Sequence, residues 1–169
     1  MRLAIMTISL LLSGLLVGTA EARTARAELK SADGKTVGEA TLEQTPNGVL
    51  IKANLTGLPP GDHAFHIHEV GKCDPPFESA GGHFNPTGKK HGRDNPQGAH
   101  AGDLPNIQVM DGRPAQVEVV ARDVSLDGGP GSLFDGDGAA LVVHAKADDG
   151  KTDPSGNAGE RIACGVIRQ

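Results

Sequence analysis

The sequence predicts an all-β fold, an antiparallel sandwich or barrel of eight short strands. Three observations predict it. Short runs with period-two alternation recur along the chain, each bounded by Gly, Pro, Asn or Asp. Gly contributes 24 residues and Pro 11, enough to punctuate many turns. No stretch repeats its apolar residues with a helical period over about eleven residues.

The elements follow in order. Residues 1–22 stand apart from the fold. Arg2 gives a basic start, Leu3 to Val17 is an apolar run, and Ala20-Glu21-Ala22 reads as a small-x-small cleavage site. The domain is then residues 23–169. Thr24 to Leu29 is the first strand and Ser31 to Lys35 its turn. Val37 to Glu43 is the second. Thr45-Pro46-Asn47-Gly48 is a hairpin signal, because Asn-Gly accepts the positive φ of tight turns. Val49 to Leu55 returns as the third strand. Asp62 to Glu69 is the fourth, after a Gly- and Pro-rich connection. Asp103 to Met110 is the fifth, Ala115 to Arg122 the sixth, Ala139 to Lys146 the seventh and Arg161 to Arg168 the eighth. Two polar segments interrupt this pattern, Val70 to Gly102 and Asp148 to Gly159. Loops as long as the first are usually functional.

Composition narrows the function. The net charge is −5, there is no basic run, and Trp and Tyr are absent. Nucleic acid is therefore excluded as a partner, on charge and on stacking alike. With residues 1–22 removed, no membrane-spanning stretch is expected, a retained N-terminal anchor being the alternative. Cys73 and Cys164 are the two cysteines. An even pair in an exported protein favours a disulfide, with two buried free thiols as the alternative.

Five of seven histidines fall between His66 and Asp103. His66 and His68 are two apart on a strand, so their imidazoles share one side while Phe65 and Ile67 take the other. This places the two histidines on an outer face. His83, His91, His100 and Asp103 lie in the irregular segment, which has too little regular structure to hold itself and points to a metal as its support. His144 joins from the seventh strand. Seven donors exceed what one four-coordinate ion needs, so two metals sharing a ligand are expected. The strand histidines form one set and the loop histidines with Asp103 another. A His3Asp set suits a closed zinc site, and an all-imidazole set suits copper. His63 fits neither set and reads as a packed, hydrogen-bonded structural histidine.

These motifs resemble the copper/zinc superoxide dismutases. The stretches F-H-I-H-E, E-S-A-G-G-H-F-N-P-x-x-x-x-H-G, H-A-G-D-L-P-N, L-V-V-H-A-K-A-D-D and G-N-A-G-E-R-I-A-C-G-V-I occur in that family's order. The resemblance implies an eight-stranded antiparallel Greek-key barrel or sandwich, immunoglobulin-like, with long metal-binding and electrostatic loops. It implies one copper ion and one zinc ion per subunit. His66, His68 and His144 then match the copper ligands and His83 the bridge to zinc. His91, His100 and Asp103 match the other zinc ligands. Asp148 matches the carboxylate linking a copper histidine to a zinc histidine, Cys73 and Cys164 the disulfide, and Arg161 the arginine beside the open copper position. The implied activity is dismutation of superoxide to oxygen and hydrogen peroxide, an antioxidant function outside the cytoplasm. The periplasm is the expected location, secretion the alternative. The family includes monomers and dimers, so a homodimer is left open. The overall charge repels the anion, so any attraction is local, with Lys89, Lys90, Lys146 and Lys151 as candidates that the sequence does not place.

Overall fold

The computed structural model describes residues 23–169, and the leader expected at residues 1–22 lies outside them. Among the described residues nine antiparallel strands form the framework. They are β1 (Thr24–Ser31), β2 (Thr36–Thr45), β3 (Gly48–Leu55), β4 (Gly61–His63), β5 (Phe65–His68), β6 (Ile107–Val109), β7 (Ala115–Ala121), β8 (Ala140–His144) and β9 (Arg161–Val166). Seven make one curled sheet in the order β5-β8-β9-β1-β2-β3-β7, and β4 pairs with β6. Among the described residues the only helical turn is a 3₁₀ turn at Glu78–Ala80.

The ninth strand arises because the run 62–69 divides at Ala64. His63 pairs with Ile107, whereas Phe65 pairs with Val143. The chain thus changes partners in one residue. The fifth strand shortens to Ile107–Val109 because Asp103 to Asn106 serve the loop. The hairpin between β2 and β3 lies where expected, but its central residues are Pro46 and Asn47, since Thr45 faces Gly48. The residue with positive φ is Gly48 (φ 121), where a Cβ would run into the Ala121 carbonyl. Gly48 therefore permits close approach of β7 rather than the turn itself.

Alternation sets the core. In β1, Ala25, Ala27 and Leu29 point inward, and Arg26, Glu28 and Lys30 outward. They meet Ala40, Leu42, Ile51, Leu55, Phe65, Ile67, Leu141 and Val143. Each fully buried large side chain contributes roughly 1.5–3 kcal/mol relative to exposure.

One end of the sheet is buried on both sides. Every residue of β5 and β8 is buried. Leu141 and Val143 face the main core, while Ala140 and Val142 pack with Phe77, Ala80 and Cys164 in a second cluster. The cover is the segment after β5, folded back and tied by the Cys73–Cys164 disulfide (Cα–Cα 5.7 Å). His66 and His68 pair with Val142 and Ala140, so they share that covered side. The expectation of an outer face is corrected here: the side opposite the core is itself interior, because a loop encloses it.

Candidate metal centre

Backbone pairing, rather than a metal alone, shapes the long loop. Ile67 N–H donates to the Gly102 carbonyl (3.0 Å), Phe84 N–H to Ile67 (2.9 Å) and Gly102 N–H to Phe84 (2.9 Å). Two loop segments thereby lie alongside β5 and bring His83 beside His68 and Asp103 beside His66. Gly102 makes this possible, since a Cβ there would strike the Ile67 carbonyl. Farther out, the Asp153 carboxylate accepts the His91 N–H (2.7 Å), and Asp94 N–H donates to Gly150 (3.0 Å). The polar loop after Asp148 therefore clasps the segment that carries His91.

The seven expected donors converge into two groups. His66, His68, His83 and His144 form one, and His83, His91, His100 and Asp103 the other, with donor atoms within 4.8 Å of one another in each. His83 belongs to both. In the second group, Asp103 Oδ1 lies 2.8 Å from His83 Nδ1, 3.1 Å from His91 Nδ1 and 3.3 Å from His100 Nδ1. His100 Nδ1 is 3.4 Å from His83 Nδ1. A tetrahedron with bonds of about 2.0–2.1 Å has edges of roughly 3.3–3.4 Å, so these spacings fit one four-coordinate ion. In the first group, His68 Nε2 and His144 Nε2 are 3.3 Å apart. His66 Nδ1 and His83 Nε2 are buried with no hydrogen-bond partner. Buried polar atoms without partners are rare and need a reason. A metal ion between these nitrogens supplies one.

The opposite ring atoms are pinned. His68 Nδ1–H donates to the Gly81 carbonyl (3.0 Å) and His144 Nδ1–H to Gly159 (3.2 Å), which leaves Nε2 of each with its lone pair free. Asp148 Oδ2 takes the Nε2–H of His66 (2.8 Å), and its Oδ1 lies 3.0 Å from His91 Nε2. One carboxylate thus joins the two groups. Asn106 holds it, donating through Nδ2 to the Asp148 carbonyl (2.9 Å) and accepting its N–H (2.8 Å).

Burial pushes His66 down to about 4, against the pull of Asp148. It pushes His68 to about 2, with His83 adding to the effect, and His144 to about 3, with His66 adding. All three are neutral near pH 7, as nitrogen ligands must be. Burial also lowers His100. For His91 burial acts downward, but the hydrogen bonds to Asp103 and Asp148 outweigh it and raise it to about 9. Burial would raise Asp103 and Asp148. Hydrogen bonds from His83 and His91 instead hold Asp103 well below the carboxylate range, and His66 and the Gly150 N–H do the same for Asp148.

Arg161 reaches over this region from the start of β9. Its Nη1–H donates to the Phe77 carbonyl (2.6 Å) and its Nη2–H to Gly81 (2.7 Å). Its charge opposes protonation of His68 and His144. His63 stands outside both groups. It is buried, with ring nitrogens 2.8 Å from the carbonyls of Pro59 and His144, as a structural histidine should be. Lys89 and Lys90 pair with Asp123 and Asp153. Sequence reasoning missed Asn106, which stands in a quoted motif but without a role, and Asp153, an acid in a polar loop that nothing marks out.

The family profile described as copper/zinc superoxide dismutase (SODC) matches residues 36–167. A protein of Aquifex aeolicus named superoxide dismutase [Cu-Zn] 2 is 56% identical over 147 residues, covering 85% of this chain and 86% of the relative. The superoxide dismutase [Cu-Zn] of Caulobacter vibrioides is 47% identical over 149 residues, covering 86% of each. Among solved structures, a double mutant of a SOD-like protein from Bacillus subtilis superimposes with a TM-score of 0.82 at 44% identity, covering 85% of this chain and 97% of that one.

Proposed function

The chain belongs to the copper/zinc superoxide dismutase family, and on that premise we propose how its own residues divide the work. It is an oxidoreductase that uses copper and zinc to convert superoxide to oxygen and hydrogen peroxide. The observation that carries the residue assignment is the pair of buried, partnerless nitrogens, His66 Nδ1 and His83 Nε2, within an all-imidazole quartet. Copper is held by His66, His68, His83 and His144, and zinc by His83, His91, His100 and Asp103.

Bound copper would supply one-electron redox chemistry, and bound zinc, which has none, would supply charge within a closed set of ligands. The residues do the rest. Asp148, Gly81 and Gly159 fix the tautomers of His66, His68 and His144, so that each presents one lone pair without rearrangement. His83 Nε2 would hold copper or, once that bond is released, a proton for the reduced product, one at a time on the same lone pair. Arg161 spends two N–H groups on loop carbonyls and keeps its charge beside His68 and His144, where it attracts and orients a small anion.

The enclosed segment, the disulfide and the pattern of residues 1–22 support an exported protein, and we place it in the periplasm. A xanthine-oxidase-coupled assay on the metal-loaded protein tests the activity: dismutation well above that of free copper is expected, and none above it would overturn the reading. A metal buffer on the same framework is separated from an enzyme by Arg161. Arg161→Ala leaves a buffer's metal affinity intact but lowers an enzyme's turnover, whereas His83→Ala lowers affinity in both.

A further inference from the structure

The two metal groups open to different surroundings. Beside the first stands Arg161, whose positive charge favours anions and repels cations. On another flank a cleft of about 240 Å³ reaches the second group. Asp103, Asp148, Asn106 and Gly150 line it, together with Arg93, Leu104 and Pro105, and it touches the second group at Asp103 and the first group nowhere.

We propose that this cleft is the route by which zinc enters and leaves its site, separate from the face that receives superoxide. The inference rests on reading His83, His91, His100 and Asp103 as the zinc set. Three features carry it. The space exceeds several-fold the roughly 30 Å³ that one water takes up in the liquid, so a partly hydrated ion fits. Its inner wall holds two carboxylates, Asp103 and Asp148, whose side chains are 4% and 8% exposed, and two negative charges at a half-closed wall attract a dication. Asn106 clamps the Asp148 backbone from both sides, so that wall is fixed rather than improvised. His83 and His91, the two buried histidines of the set, lie behind this wall, while His100 is half-buried and lies outside the cleft.

Arg93 and Pro105 are the exposed residues of the cleft. Gly150 brings Arg93 close, since a Cβ there would lie 3.7 Å from the Arg93 Cγ. A guanidinium at the mouth acts on the crossing ion in both directions. It slows passage without contributing a ligand.

The test is isotope exchange on the copper- and zinc-loaded full chain. Free enriched zinc and copper isotopes are added, and protein-bound isotope ratios are followed by mass spectrometry. Arg93→Glu is expected to speed zinc exchange by about tenfold at low ionic strength, with the gain shrinking as salt rises. Pro105→Trp is expected to slow it by narrowing the mouth. Copper exchange is expected to stay as in the wild type in both variants. Zinc exchange unchanged in Arg93→Glu, or copper exchange altered to the same degree, would overturn the route. Zinc content unaffected by His100→Ala would overturn the site assignment itself, a failure visible at equilibrium rather than in the rates.

Discussion

The Nδ1 atom of His83 lies 2.8 Å from Oδ1 of Asp103. The other nitrogen of the same ring is buried among three further imidazoles with no partner. One side chain thus faces two groups of donors, and each group is complete only with it.

Asp148 is the second link between those groups, through His66 and His91. Asp148→Asn keeps the size but cannot accept from both rings as a carboxylate does. It is expected to lower affinity for both metals by about 10–100-fold. Competition titration with a chelator of known affinity measures this for zinc and copper separately.

Removing the metals should expose a characteristic pH dependence. In the metal-free protein His66, His68 and His144 titrate at about 4, 2 and 3, below the ordinary histidine value near 6.5. Between pH 6.5 and 4 the unfolded chain binds more protons, so stability falls as the solution is acidified through that window. His91, raised to about 9, acts the other way. Its contribution is fully present below pH 6.5 and lost as the pH rises through 9. The Tm of the chelated protein is therefore expected to peak near neutrality and fall on both sides, and to lie below that of the loaded protein throughout. Calorimetry across pH 4–9 checks both the sign and the position of the maximum.

Gly102 packs its Cα against the Ile67 carbonyl, where a Cβ has no room. Its φ is not in the left-handed region, so the cost of Gly102→Ala is steric. Overpacking of this kind costs about 1–3 kcal/mol. Denaturant unfolding of the loaded protein is expected to show that loss, together with weaker zinc retention, because Asp103 follows directly in the chain.

The disulfide closes a separation of 91 residues between Cys73 and Cys164. In the chain-entropy account such a loop is worth about 4–5 kcal/mol. Reduction is expected to release the cover formed by Phe77 and Ala80 over Val142 and Ala140. Amide exchange should rise in residues 70–82 and much less in β1 to β3.

Arg161→Lys preserves the charge but cannot reach the carbonyls of Phe77 and Gly81 together. Gly81 keeps its other donor, His68 Nδ1, so the ligand stays oriented and the loss falls on the anion's guide. Turnover is expected to fall by about tenfold or more, with Arg161→Ala lower still. Steady-state dismutation at matched copper content measures it.

The site was legible wherever chemistry left a residue type in a fixed spacing. His66 and His68 share a side because strand side chains alternate, and His144 and Arg161 sit on strands that the apolar pattern located. What alternation could not reveal was the cover. A strand reading F-H-I-H looks half-exposed until another segment folds over it, and that segment is irregular. The division at Ala64 was hidden for a similar reason, since it rests on a change of pairing partner. Asp153 and Asn106 were unreadable because they act on backbone groups of residues distant in sequence. The carbonyls of Gly81 and Gly159 were invisible on principle, since every residue has one.

Anomalous diffraction from a crystal of the loaded protein, collected at the copper and zinc edges, tests the shared imidazole most directly. A copper peak is expected against Nε2 of His83 and a zinc peak against Nδ1 of the same ring, each about 2.0–2.1 Å away. A single peak, or two peaks of which one lies beyond reach of His83, would contradict the account.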